Sequence, residues 1–231
     1  MSASHDIYLE IGKKKAIAAA VAWPGWCRSG RDEAAARQAL LDYAPRYAAV
    51  VQAAALSFDA PAGADALAVV ERIEGNSTTD FGAPDLTIPG DGEPGEAIGE
   101  AERDRFAVVL RACWQAFDAA VEAAQGKELR KGPRGGGREL DAMINHVIDA
   151  DLAYLGRVGL QLDLPDGVEG ADRLAAVRDG LLGALDQAAA GQLPVEGPRG
   201  GKRWPVRFFV RRVAWHALDH AWEIEDRIVE P

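Results

Sequence analysis

The stretch Arg211-Arg212-Val213-Ala214-Trp215-His216-Ala217-Leu218-Asp219-His220-Ala221-Trp222-Glu223-Ile224-Glu225-Asp226-Arg227 contains neither Gly nor Pro. Strong helix formers alternate in it with apolar residues, which is the composition of one long helix. Side chains four apart on a helix stack one turn above another, so His216 and His220 project side by side. Two imidazoles held that way make half of a metal site. The chain has 4 histidines, the other two being His5 and His146, and His146 lies in a second helical stretch, Glu139 to Leu155. If the two helices run antiparallel, His146 is about two turns into its own and His220 about two turns from the end of its own. The three rings then meet at one level. Paired histidines at this spacing also occur on ordinary helices, and the third ring at matching height is what points to a metal. The expectation is a single divalent metal site built by His146, His216 and His220.

Three neutral imidazoles suit zinc, nickel, copper or iron and leave at least one coordination position open. A water there would have its pKa lowered toward about 7, and a thiol could be ionised the same way. Glu223 follows His220 by one turn and shares the ligand face. It could be a fourth ligand, a general base, a partner behind a ligand ring, or a solvated carboxylate. Asp149 and Asp219 are further candidates to accept the free ring N–H of a ligand histidine. The zinc-protease reading is weak, since that motif needs Glu directly after the first His, where this chain has Ala217.

Working outward, the second half of the chain reads as four helices. The first spans about 98–125 and carries Phe106, Val109, Leu110, Cys113, Trp114, Phe117 and Val121 at three-and-four spacing, a core-facing stripe. Cys113 on that stripe reads as a buried structural thiol. The His146 helix is second. The third spans about 170–190 with Leu174, Val177, Leu181 and Leu185 inward, and the fourth runs from Pro205, suited to a first turn, to about Val229. Linkers of modest length between such helices predict an all-α four-helix bundle. Gly132-Pro133-Arg134-Gly135-Gly136 and Gly197-Pro198-Arg199-Gly200-Gly201 introduce the second and fourth helices. Basic residues cluster at both places: Lys127, Arg130, Lys131, Arg134 and Arg138, then Arg199, Lys202, Arg203, Arg207, Arg211 and Arg212. Either cluster could attract an anionic small molecule, and the antiparallel arrangement favours Arg134 or Arg138.

The run Asn145-His146-Val147-Ile148-Asp149-Ala150-Asp151-Leu152, followed near the C-terminus by a His-x-x-x-His helix ending in acidic residues and an Arg, resembles the DinB-like metal-binding superfamily. The resemblance covers 98–231. It implies a bundle in up-down-down-up order, a three-histidine site for zinc or nickel, and a homodimer. Several members of the family are transferases or isomerases that use a low-molecular-weight thiol, while many have no assigned activity. All three ligand positions match here, and the substrate does not carry over. Two classes of function follow: a metal- and thiol-dependent transferase or isomerase, and a noncatalytic binding or regulatory protein stiffened by its metal.

The first part of the chain reads as α+β. Ile7 to Ile11 alternates like a strand, Gly12-Lys13-Lys14 turns, and Ala16 to Ala22 returns as the second strand of a hairpin. Trp23 to Gly30 is rich in turn residues. A helix follows from an acidic cap at Asp32 to Tyr43, and Pro45 either ends it or opens another running to Leu56. Ala66 to Ile73 is a third strand, and Thr78 to Phe81 is expected to be a short fourth. Ala22-Trp23-Pro24-Gly25-Trp26-Cys27 through Gly30 and Asp32-Glu33-Ala34 resembles the HicB-like antitoxin domain, in which a strand, an apolar-Pro-Gly-Cys turn, a Gly and an acidic-capped helix succeed one another. The resemblance spans 5–75 and departs from the pattern at Ala22, where the family has Asp. Residues 83–97 concentrate Pro and Gly without periodicity. The expected organisation is a small α+β domain at 1–82, a linker at 83–97 and the bundle at 98–231.

With 48% hydrophobic and 27% charged residues the composition is that of a globular protein. A net charge of -10 and a pI near 4.9 argue against nucleic acid or a membrane surface as partner. Two distant cysteines, Cys27 and Cys113, read as free thiols of a reducing compartment. Lys13-Lys14-Lys15 with the apolar run after it mimics a secretory leader, but Asp6 and Glu10 precede it and the run is short. No stretch approaches the roughly 20 apolar residues that cross a bilayer, so a cytoplasmic protein is expected.

Overall fold

A computed structural model of the chain describes residues 4–131, 139–165, 167–197 and 199–229. Two compact units divide it: Met1–Asp91 with Val210–Trp215, and Gly92–Phe209 with His216–Pro231.

The first unit is built on a sheet. Strands β1 (His5–Ile11) and β2 (Ala16–Ala20) form the expected antiparallel hairpin, Ile7 opposite Ala20 and Ile11 opposite Ala16. Strand β3 (Cys27–Gly30) adds to the outer edge of β2. Two helices follow, α1 (Glu33–Asp42) and α2 (Ala44–Ala53), and then β4 (Leu67–Glu74) pairs parallel to β1, giving the order β3-β2-β1-β4. A parallel neighbour needs a long crossover, which the two helices supply. Every residue of β2 is buried, and its alanines leave room for α1, which packs on β2 and β3. The approach is close enough that a Cβ on Gly30 would collide with the backbone of Ala36. Asp32 caps α1 by accepting from the Ala35 N–H at 2.8 Å.

Two expectations need correction here. The turn-rich segment contains β3, whose sequence Cys-Arg-Ser-Gly lacks alternation because the strand takes its place by pairing with β2. Thr78 to Phe81 is not a strand but part of a helix, α3 (Ser77–Phe81). Asn76 decides it: its side chain accepts from the N–H groups of Thr78 and Thr79 while Thr79 answers back to the Asn76 N–H, a capping box that overrides the β-preference of threonine. Pro45 opens α2 in its first turn.

Trp26 donates its indole N–H to Leu40 O at 2.9 Å and Tyr47 its hydroxyl to Pro24 O at 2.9 Å, so the Trp-Pro-Gly-Trp turn is anchored to both helices. Buried Glu10 on β1 accepts from the Thr79 hydroxyl and the N–H groups of Asp85 and Leu86, tying down the stretch after α3. Within the Pro/Gly-rich segment, Ala83 and Ile88 are buried and pack with Tyr8, Ile17, Cys27 and Trp215. Asp91 closes a short 3₁₀ turn by accepting from Ile88 N–H, and both its oxygens take the Arg211 guanidinium, which lies 4.7 Å over the Tyr8 ring.

The second unit is helical. Helices α4 (Glu100–Ala124), α5 (Leu140–Arg157) and α6 (Gly170–Ala189) follow one another, and α6 packs on α4 and α5. The last helix, α7, spans Val206–Arg227. The stripe of α4 is buried as its spacing predicts, except for half-buried Val121. Phe117, Ala120 and Ala124 of α4, Met143 and Val147 of α5, and Ala221 and Ile224 of α7 form one apolar cluster, with Leu129 and Ile228 packed against it. Among the described residues no helix is long and apolar enough to cross a membrane.

Candidate metal centre

The apolar faces that build this cluster also aim the histidines. Met143 and Val147 turn one face of α5 into the core and leave His146 on the adjoining face; Ala217, Ala221 and Ile224 do the same for His216 and His220 on α7. The Nε2 atoms of His146 and His216 lie 3.3 Å apart, and those of His216 and His220 3.2 Å. Ring planes cross at 69° to 87°, so the rings meet edge-on and their nitrogen lone pairs converge instead of stacking. Among the described residues these three are the group of potential metal ligands, with all ligand atoms within 4.8 Å of one another.

Facing lone pairs at such separations repel unless a proton or a cation lies between them. A proton relieves one pair at a time; a single cation relieves all three. Three imidazole nitrogens gathered this closely are a donor set that suits zinc, nickel, copper or iron.

Behind the ligand face, His220 Nδ1 lies 3.0 Å from Glu223 Oε2. A carboxylate can only accept, so Nδ1 carries the proton and Nε2 presents its lone pair to the other two rings. Glu223 therefore sits on the far side of the His220 ring, behind the ligand face. His216 and His220 are each 6% exposed, while His146 is half-buried, so the group is reached from the His146 side. The Tyr154 ring stands edge-on to His216 with centroids 5.7 Å apart, and Trp204 lies against Tyr154.

Residues 110–224, which include all three histidines, match the family model of the DinB superfamily. This helical region belongs to the DinB superfamily. No curated protein and no solved structure matches the chain.

Around the DinB-like centre several charged candidates have other work. Asp149 accepts from Arg173 at 2.8 Å instead of orienting a histidine. In the basic run before and along α7, Arg207 is held by Glu102 and Glu96, Arg211 by Asp91, and Arg203 donates to Gly156 O at 2.6 Å. The acidic partners are distant in sequence, so Arg207 and Arg211, two of the six cations of a run that looks purely basic, are neutralised. Arg199 and Lys202 remain exposed. Arg134 and Arg138, the favoured anion ligands, lie outside the described residues, as does the first Gly-Pro-Arg-Gly-Gly segment. Cys113 is fully buried, and burial pushes its thiol pKa far up, so it is no nucleophile.

Sequence reasoning missed two residues. Arg227 donates to Glu223 Oε1 at 3.3 Å and to Arg130 O at 2.7 Å, and Arg130 donates to Asp226 O at 2.6 Å. Arg227 was visible only as the i+4 partner of Glu223; the contact with Arg130 spans 97 positions and leaves no local signal. The other is Asp151, 1% exposed on α5, whose pKa burial raises to about 8 against the opposing pull of Arg178.

Proposed function

We propose that the chain binds one divalent metal ion, zinc or nickel, through the Nε2 atoms of His146, His216 and His220, and that it is a metal-dependent transferase or isomerase using a low-molecular-weight thiol. The convergence of three imidazole nitrogens at 3.2 and 3.3 Å carries this reading. When bound, such an ion supplies Lewis acidity that lowers the pKa of a water or thiol reaching its open position. The chain's own part is to hold the rings. His220 is fixed in one tautomer by Glu223, and Tyr154 limits rotation of His216. The half-buried His146 leaves an approach for a small molecule. We assign the helical unit the up-down-down-up four-helix arrangement and the protein a homodimeric state, supported by its membership of the superfamily.

The metal reading is tested by elemental analysis. Wild type should carry stoichiometric metal, and His216→Ala or His220→Ala should lose it, because two imidazoles hold an ion weakly; unchanged content in both variants refutes the site. One observation favours a second reading, a noncatalytic protein stiffened by its metal: two of the three ligands are almost fully buried beside Tyr154. A screen of thiol-conjugation substrates separates the two, turnover that disappears on metal removal supporting the enzyme.

A further inference from the structure

The C-terminal end of α7 is closed by an unusual arrangement of main chain and arginines. A helix leaves its last carbonyls without partners, and here Arg130 takes two of them: its N–H donates to Arg227 O at 2.8 Å and its guanidinium to Asp226 O at 2.6 Å. Val229 N–H donates to Glu128 O, and Leu129 pairs with Ile228 as an antiparallel bridge. The segment Glu128 to Arg130 thus lies along the end of α7 like a short strand. Arg227, 5% exposed, is fixed to it by the bond from Nε to Arg130 O, and its Nη1 meets Glu223 Oε1. The other Glu223 oxygen receives the proton of His220 Nδ1. One carboxylate therefore joins a buried guanidinium to a ligand imidazole.

We propose that Arg227 is a positioning residue for the metal centre: held by the Glu128–Arg130 segment, it fixes Glu223, and through Glu223 it sets the tautomer and orientation of His220. Glu223 alone is 27% exposed at its side chain and has several rotamers that would turn it to solvent. A carboxylate that leaves His220 frees the ring to rotate and to exchange its proton between the two nitrogens. Arg227 does not have this freedom, because its guanidinium is buried and bonded on two sides. The inference rests on the metal reading and goes beyond it, since three ligands alone say nothing about what holds them.

The test is a double-mutant cycle on zinc affinity, measured in the full-length protein by competition with a chromogenic chelator. Partners of this kind change metal affinity by about 10–100-fold. Glu223→Gln and Arg227→Met should each weaken zinc binding about 10-fold, and Arg227→Met should add little in the Glu223→Gln background, because both changes remove the same restraint. Arg227→Lys, which keeps a cation within reach of Glu223, should recover most of the loss and shows that any effect of the Met variant is not a failure to fold. In the cobalt-substituted protein the Arg227→Met spectrum should change through one ligand. Losses that simply multiply in the double variant, or an Arg227→Met affinity equal to wild type, overturn the proposal while leaving the metal site in place. A wild type that binds no zinc removes the metal reading and the proposal together.

Discussion

Replacing Asp151 by Asn should stabilise the protein increasingly as the pH rises. Asp151 is buried in α5, and its Oδ2 has no hydrogen-bond partner among the described residues. Its neighbouring cation, Arg178, is drawn to Asp118 by two bonds of 2.8 and 2.7 Å. Burial raises the carboxyl from 3.8 to about 8. Below the lower value both folded and unfolded chains hold the proton and the group has no effect on pH dependence. Between the two values the unfolded chain releases the proton and the folded chain keeps it, so stability falls as pH rises, by about 1.4 kcal/mol per unit. The full loss is reached only above the folded value. An asparagine has the same shape and no proton to release. Its amide also lacks a ready partner, but that cost is the same at every pH and drops out of the slope. From about pH 5 to about pH 7 the advantage of Asn over Asp should therefore grow by about 2.7 kcal/mol. Urea unfolding followed by tryptophan fluorescence, with chelator present for both chains, measures it. An advantage that is constant over this range would show that Asp151 is already ionised in the folded state, and the reasoning from burial would fail.

In the first unit, Arg211→Met leaves the Asp91 carboxylate buried without its guanidinium and should cost about 3–5 kcal/mol in urea unfolding; the double change with Asp91→Asn should cost less than the sum of the two. Asn76→Ala removes the cap of α3 and should cost about 1 kcal/mol, with faster amide exchange confined to the residues of that helix.

The elements that were legible in the sequence are those whose signal is local. The β1–β2 hairpin announces itself by alternation around Gly12-Lys13-Lys14, and the α4 stripe by its spacing. Strand β3 has no such signal, since four residues reading Cys-Arg-Ser-Gly could be any loop until β2 offers its edge. In α3, threonines argued for a strand and a single asparagine for a helix. The capping box gives two backbone donors partners at once, while a strand at that place has none beside it among the described residues. The competition between propensity and capping was decided by hydrogen bonds that a propensity scale does not contain.

At the centre the division is similar. The i, i+4 spacing makes His216 and His220 neighbours in any helix, so the pair could be read directly, and His146 entered through a matching height that only the folded core makes real. Which acid stands behind a ligand could not be read. Asp149, Asp219 and Glu223 all lie within one turn of a histidine, and a helix brings each within reach. What separates Asp149 from Glu223 is the cation each meets: Arg173, from α6, turns Asp149 away from the ligands, whereas Arg227, held by Arg130, turns Glu223 toward His220. The same logic corrects the basic run along α7, where Arg207 and Arg211 count as free charge only until Glu96, Glu102 and Asp91 are placed beside them. Charge in a sequence is a sum, while charge at a site is a pairing. At this centre the contact that leaves no local trace is the one from Arg227 to Arg130, which spans 97 positions.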